Sequence, residues 1–308
     1  MKAFRIGTRG SALALWQANT VAEALRRAGV ESDLMIVKTS GDKFPQAAFD
    51  KIGAKGVFIK ELEDALLACR VDLAVHSMKD VPTEIPDGLV IAAVCKREDV
   101  RDALISSSGA ALAALPPGAR IGTGSLRRRA QLLHARNDLQ MLDIRGNVDT
   151  RLGKLKRGDY DAIVLAKAGL DRLGLSETIT EVLSVQTSLP AAGQGAIGIE
   201  ARAEGRETLQ ALARLNDPET RAGVEAERAA LARLEGGCQV SIGAWGRVQD
   251  GRLLLDVVVL SADGKQRLFE TLVGSPADAA DMGRKVAETL IARGARDLLA
   301  REGRGTIA

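Results

Sequence analysis

The chain has 308 residues, 46% hydrophobic and 27% charged, an ordinary globular composition with room for two or three domains. No apolar run is long enough for a membrane helix, and Met1–Gly7 carries no secretory-type apolar stretch, so a soluble chain in the cytoplasm is expected. The 43 basic and 40 acidic residues nearly cancel, and three cysteines with two histidines are too few and too scattered for a zinc site or a disulfide framework, so no metal is expected.

In chain order, residues 3–8 (AFRIGT) read as a short buried strand. A helix then starts after Ser11, a suitable N-cap, with Leu15, Ala18, Ala22 and Leu25 on one face. Residues 41–57 lack periodicity and read as a mobile loop that closes over a site. A helix with Leu62, Leu66 and Cys69 on one face ends near Arg70 and leads into a strand over 71–75. Asp99–Gly118 suits a crossover between two halves. Residues 120–125 (RIGTGS) then repeat the opening phrase, and Leu126, Ala130 and Leu133 begin another apolar helical face. A strand over 141–144, a helix ending near Gly158 and a strand over 162–166 follow. Thus Arg-Ile-Gly-Thr occurs at residue 5 and at residue 120, and Asp72-Leu-Ala-Val is echoed by Asp161-Ala-Ile-Val. Alternating strand and helix, said twice, predict two similar α/β domains with parallel sheets and helices on both faces.

A second crossover is expected near Ser188–Gly198. Pro218–Leu234 reads as a helix whose Ala222, Ala226, Ala229 and Ala230 allow close packing. Strands near 239–248, 253–260 and 266–273 and a final helix over 277–301 complete a small α+β domain. The expected division is 1–98 with 196–215, 99–195, and 216–308.

In parallel sheets, ligands collect beyond the carboxyl ends of strands, where helix amino termini attract anions. Arg9 and Ser11 sit at the first such place. Thr123, Ser125, Arg127 and Arg128 sit at the second, with Arg145 and Arg151 beside a third and Arg172 after the strand 162–166. From Arg120 to Arg157 there are eight arginines and two lysines against three aspartates. Guanidinium groups pair carboxylates and phosphates in bidentate fashion, so a ligand with several acidic groups is expected. Arg129 and Arg157 fit the plainer reading of solvated helix faces. Asp80, just after the strand 71–75, suits a general acid/base or a stabiliser of developing positive charge, and equally a surface turn. His76 reads as a packed, hydrogen-bonded residue, and Cys69 and Cys95 as small buried hydrophobes. Cys238, on the glycine-rich turn Gly236-Gly237-Cys238, is open to nucleophilic use, although no histidine lies near it in sequence.

Seven segments together resemble the porphobilinogen deaminase family: TRGSALALWQA (8–18), KGVFIKELEDALL (55–67), AVHSMKDVP (74–82), IGTGSLRRRAQL (121–132), RGNVDTRLGKL (145–155), LPAAGQGAIGIE (189–200) and LEGGCQV (234–240). The resemblance implies an α/β fold of two periplasmic-binding-protein-like (type II) domains plus a smaller C-terminal α+β domain. It implies a transferase of tetrapyrrole and heme biosynthesis. Four porphobilinogen molecules lose ammonia and join head to tail on a covalent dipyrromethane primer, and water then releases linear hydroxymethylbilane. It implies one dipyrromethane per chain, held by Cys238 through a thioether, and Asp80 as the catalytic aspartate. Lys79, Thr123, Ser125, Arg127, Arg128 and Arg151 match cofactor-binding positions. Arg9, Ser11, Gln17, Lys55, Phe58, Arg145 and Arg172 match substrate-binding positions. Gly124 stands where some members have serine, which puts one hydroxyl contact in doubt. The implied chain is a cytoplasmic monomer whose product passes to uroporphyrinogen-III synthase, with no nucleic-acid or membrane partner.

Two other functions compete. A solute-binding protein built from the same lobes needs export and has no use for Cys238. A nucleic-acid binder would use the Arg120–Arg157 patch, but aromatic residues are 3% of the chain and the patch holds none for base stacking.

Overall fold

The computed structural model describes residues 3–38, 59–234 and 240–302. Lys55, Phe58, Cys238 and the 41–57 segment lie outside the described residues. The chain forms two compact units, Met1–Glu98 with Gly195–Arg221 (unit 1) and Asp99–Gln194 with Ala222–Ala308 (unit 2).

In unit 1, β1 (Phe4–Thr8) pairs in parallel with β2 (Ser32–Ile36) and β3 (Leu73–Ser77). The sheet order is β2-β1-β3-β10-β4, where β4 is Leu89–Val94 and β10 (Ile197–Arg202) runs antiparallel to both neighbours. Helix α1 (Ala12–Arg27) packs Ala18, Val21 and Leu25 against Leu73, Val75 and Ile199, and α6 (Arg206–Leu212) adds Leu212 to this core. Helix α2 (Lys60–Leu67) packs Leu62, Ala65 and Leu66 with Val71 and Ala74. Neighbouring residues of β3 thus feed different cores, as a strand covered on both faces must.

Unit 2 repeats the plan. Its first sheet has the order β7-β6-β8-β5-β9, with β5 Asp102–Ser106, β6 Arg120–Gly122, β7 Gln140–Leu142, β8 Ala162–Ala166 and β9 Glu181–Val182. As in unit 1, the parallel triplet (β7, β6, β8) is followed by a return strand, β5, antiparallel to both neighbours. Helices α3 (Leu126–Ala135), α4 (Val148–Lys156) and α5 (Lys167–Arg172) follow β6, β7 and β8.

The repeated phrase has a physical meaning at each position. Arg5 clamps Asp72: its backbone N–H and Nε donate to one carboxylate oxygen at 2.9 and 3.0 Å, and Nη2 donates to the other at 2.9 Å. Arg120 clamps Asp161 through the same three atoms at 2.7, 3.2 and 2.8 Å. The glycines two residues on are close-approach positions. A Cβ on Gly7 would come 3.1 Å from Leu62, and one on Gly122 would come 2.9 Å from the Tyr160 ring.

Unit 2 also contains an antiparallel sheet of β11 (Ile242–Gln249), β12 (Arg252–Leu260) and β13 (Arg267–Gly274). One face is covered by α7 (Pro218–Arg233), α8 (Ala279–Ala292) and α9 (Ala295–Glu302), through Ala222, Ala226, Ala230, Val286 and Leu290 against Leu255 and Val257. Gly223 of α7 lies so near β11 that a Cβ would meet the Gly246 carbonyl at 2.5 Å. The mixed α/β class with a smaller C-terminal sheet is as expected.

Several elements differ from the sequence expectation. β5 lies inside the segment expected to be a crossover. Its buried core is only Ala103-Leu104-Ile105, too short to carry a period. β10 emerges from the glycine-rich stretch expected as the second crossover and takes an inner place in the unit 1 sheet, between β3 and β4. β3 extends to Ser77, so His76 is a strand residue. The expected single C-terminal helix is broken at Gly294, whose φ of 93° is left-handed. Cys69 is exposed with φ 55°, so it is not a buried hydrophobe, whereas Cys95 is half-buried and packs against the unit 1 core. Among the described residues no helix is long and apolar enough to cross a membrane.

Candidate functional site

In unit 1 the parallel strands β1 and β3 end on the same edge. Beyond β1, Ser11 caps α1, its Oγ accepting from the Ala14 N–H at 3.3 Å. Beyond β3, a single 3-10 turn over Met78–Asp80 carries Lys79 half-buried and Asp80 exposed. Met78, 1% exposed, anchors that turn, its N–H donating to the Ala196 carbonyl at 3.0 Å. Gly198 beneath it has no room for a Cβ against Met78 Sδ. Asp80 is therefore displayed on a turn whose floor is fixed.

A pocket opens between these two strand ends. Leu13, Ile59, Leu62 and Val75 give it apolar walls; Arg9, Ser11, Gln17, His76, Ser77 and Asp80 give it polar ones. Gln17 is buried and donates from Nε2 to Ser77 Oγ at 2.8 Å. The structure thus brings together Arg9, Ser11, Gln17 and Asp80, four residues chosen from sequence. Below them His76 Nε2 lies 3.0 Å from Glu200 Oε2, with both side chains buried, in agreement with a packed histidine. Glu63 of α2 is pushed up to about 7, first by burial and then by the Glu200 charge, with His76 pulling the other way.

Unit 2 gathers its residues at the equivalent edge. Ser125 caps α3, accepting from the Arg128 N–H at 3.4 Å, and Thr123 Oγ1 accepts from the Ser125 N–H at 3.2 Å. Asn147 caps α4, accepting from the Thr150 N–H at 2.9 Å. Arg145 is exposed, 3.9 Å from Asp143, and Arg151 Nε donates to the Gly146 carbonyl at 2.8 Å. Arg172 ends α5 and is buried. A Cβ on Gly124 would approach the Ile144 carbonyl at 3.0 Å, so a side chain there would crowd the start of the α4 loop.

Arg127 and Arg128 depart from the expectation of an open arginine rim. Both are buried, at 4% and 6% exposure, and both pair with Asp102, which is fully buried. Arg128 Nε and Nη2 donate to Asp102 Oδ1 at 3.0 and 2.8 Å, and Arg128 Nη1 to the Val164 carbonyl at 3.0 Å. Arg127 Nη2 meets Asp102 Oδ2 at 2.9 Å, while its Nη1 donates to Ser188 Oγ at 3.2 Å and to the Leu189 carbonyl at 2.6 Å. Ser188 Oγ and Gln194 Nε2 donate to Asp102 at 2.7 and 2.9 Å. Burial alone would raise Asp102; Arg127 and Arg128 outweigh it and hold the carboxyl well below the usual range. Burial lowers Arg127, with Asp102 pushing back. Sequence reading missed Asp102, Ser188 and Gln194. They lie far from Arg127 in the chain, and no local spacing marks them.

A family model described as porphobilinogen deaminase, dipyromethane cofactor binding domain, matches residues 4–210, and one described as its C-terminal domain matches residues 222–292. A porphobilinogen deaminase from Trichlorobacter lovleyi is 51% identical over 300 residues, covering 97% of this chain and 96% of its own. The chain belongs to the porphobilinogen deaminase family. Another of that name, from Syntrophobacter fumaroxidans, is 49% identical, covering 97% of each chain. A nutrient-binding protein from Burkholderia cenocepacia, solved bound to methionine, is similar at 14% identity and a TM-score of 0.43, covering 68% of this chain and 90% of its own.

The residues present fit the group named in that description. A dipyrromethane offers pyrrole N–H donors, flat rings and several carboxylates. In unit 1, Asp80 is an acceptor for N–H groups and the aliphatic pocket walls suit rings; in unit 2, taken by itself, the cationic start of α3 suits acidic arms. Arg127 Nε, buried, has no hydrogen-bond partner among the described residues. The same residues make no metal site: among the described residues no group of three or more His, Cys, Asp and Glu is placed to hold an ion.

Two stability predictions follow from these charges. Asp102→Asn leaves two buried guanidiniums without their anion, and denaturant unfolding should report a loss of about 3–5 kcal/mol. Because the folded value of Asp102 lies below the unfolded one, its contribution is full above the ordinary 3.8 and is lost as pH falls from there through the lowered value. Glu63 has the opposite sign. Its folded value, about 7, lies above the ordinary 4.5, so its contribution is present below 4.5 and lost as pH rises through 7. Glu63→Gln should therefore raise the thermal midpoint relative to wild type at pH 8 and not at pH 4.5; equal differences at both would remove Glu63 as the cause.

Proposed function

We propose that this chain catalyses the deamination and head-to-tail condensation of four porphobilinogen molecules and the hydrolytic release of linear hydroxymethylbilane. The observation that carries the reading is the unit 1 pocket, where one carboxylate, Asp80, stands among Arg9, Ser11 and Gln17 over aliphatic walls. Family membership over nearly the whole chain supports it.

Each side chain has a task in this reading. Asp80 accepts hydrogen bonds from pyrrole N–H groups and offsets the positive charge that develops as ammonia departs. Arg9 and Ser11 pair a carboxylate of the incoming ring, and Gln17, held by Ser77, orients it. Arg145, Arg172, Lys55 and Phe58 belong to the same substrate set. A dipyrromethane held on Cys238 as a thioether would supply a free pyrrole α-carbon as the nucleophile. Thr123, Ser125, Arg127, Arg128 and Arg151, with Lys79, hold its acidic arms. Arg127 and Arg128 reach that task already fixed by Asp102, so little side-chain freedom is lost when a carboxylate arrives.

The proposal includes three domains, 1–98 with 196–215, 99–195 and 216–308, an organisation supported by the three separate sheets. It also includes a cytoplasmic monomer that passes its product to uroporphyrinogen-III synthase.

Purified protein given porphobilinogen should release ammonia and hydroxymethylbilane. Asp80→Asn should keep the wild-type circular dichroism and lose about 100-fold or more in turnover. Wild-type turnover in that variant removes Asp80 from the chemistry. Intact mass spectrometry should find wild type heavier than Cys238→Ser by a dipyrromethane; masses that differ only by the substitution overturn the covalent assignment.

A further inference from the structure

The unit 1 pocket holds an ionisable group that the reading above does not use. His76 lines the pocket in common with Arg9 and Asp80, yet its side chain is only 3% exposed. Its Nε2 is taken by Glu200 Oε2 at 3.0 Å. Glu200 comes from β10, the strand beside β3, and is fully buried. The other Glu200 oxygen, Oε1, has no hydrogen-bond partner among the described residues. The Glu200 contact occupies Nε2 and leaves Nδ1 as the ring nitrogen open to a ligand. A carboxylate that orients an imidazole through one nitrogen leaves the other aimed for use.

We infer that His76, its ring fixed by Glu200, is a further substrate-positioning residue of this pocket, with protonated Nδ1 donating to a carboxylate arm of the pyrrole substrate. The inference rests on the proposed substrate class and adds a contact to it. The charged groups around the ring are Glu200 on β10, Glu63 on α2, Asp80 on the following turn and Arg9 beyond β1. Arg9 and His76 then present two donors to acidic arms, while Asp80 faces the ring N–H. Loss of this contact raises KM and changes kcat less.

The test measures KM and kcat for porphobilinogen in wild type and His76→Gln. Glutamine keeps a donor for Glu200 and removes the ring. KM should rise about tenfold in the variant, as expected for losing a charge-assisted hydrogen bond, with kcat changed less. An unchanged KM, or a loss confined to kcat, overturns the inference. A second readout needs no pocket variant. The chain has two histidines, so two imidazole Hε1 signals are expected by NMR, and His134→Gln assigns them. Porphobilinogen should shift the His76 signal and leave His134, whose Nδ1 is 2.8 Å from the Gly264 carbonyl oxygen. A stationary His76 signal while porphobilinogen is turned over overturns the contact and leaves the proposed function standing. No turnover and no shift of either signal overturns both.

Discussion

The carboxylate of Asp102 is sealed from water, and unit 2 is ordered around the need to satisfy it. An ion in that position costs several kcal/mol in lost hydration unless its partners are near and well directed. Two guanidiniums, a hydroxyl and a side-chain amide meet that need. The four partners come from three different stretches of the unit. Arg127 and Arg128 start α3, Ser188 lies on the irregular segment after β9, and Gln194 precedes the chain's passage to unit 1. Gln194 also donates to the Val100 carbonyl at 2.7 Å, next to the other passage, and Gln131 both donates to and accepts from the backbone of Leu189. The start of α3 is thereby held in place before any ligand arrives. Under the proposed function, two cations and one anion already fixed there would be pre-organised for acidic arms.

Around this centre the two sheets are built on one scheme. An arginine at the start of the first strand clamps an aspartate just before the third, in both units, through the same three donor atoms. The glycine two residues later lets a helix or a tyrosine ring lie close on the strand. The serine beyond it caps the next helix. One short phrase therefore fixes strand register, packing distance and helix start together.

That economy is why much of the scaffold was legible. The Ser11 cap, the paired Arg and Asp echoes and the alanine face of α7 are local signals, and each is realised. What escaped reading was non-local. β5 and β10 are return strands whose places depend on partners far along the chain, and β10 is drawn from a glycine-rich stretch that looks like a connection. The break at Gly294 is one residue in an otherwise continuous apolar period. At the site, the strand-end positions of Arg9, Ser11, Thr123 and Ser125 were readable because parallel sheets put them there. The burial of Arg127 and Arg128 was not, since the reason for it is an aspartate on the return strand. Glu200, likewise, becomes the partner of His76 only through the β3–β10 register, where Gly198 faces His76 and Glu200 faces Ala74.

The interleaving of the first sheet bears on how the molecule is made. An inner position, between β3 and β4, belongs to residues 197–202, whereas every strand of the second sheet lies within 102–182. During translation the amino-terminal half waits, its sheet missing an inner member, while a later-made sheet already has all its strands. The polypeptide therefore cannot mature in the order in which it leaves the ribosome.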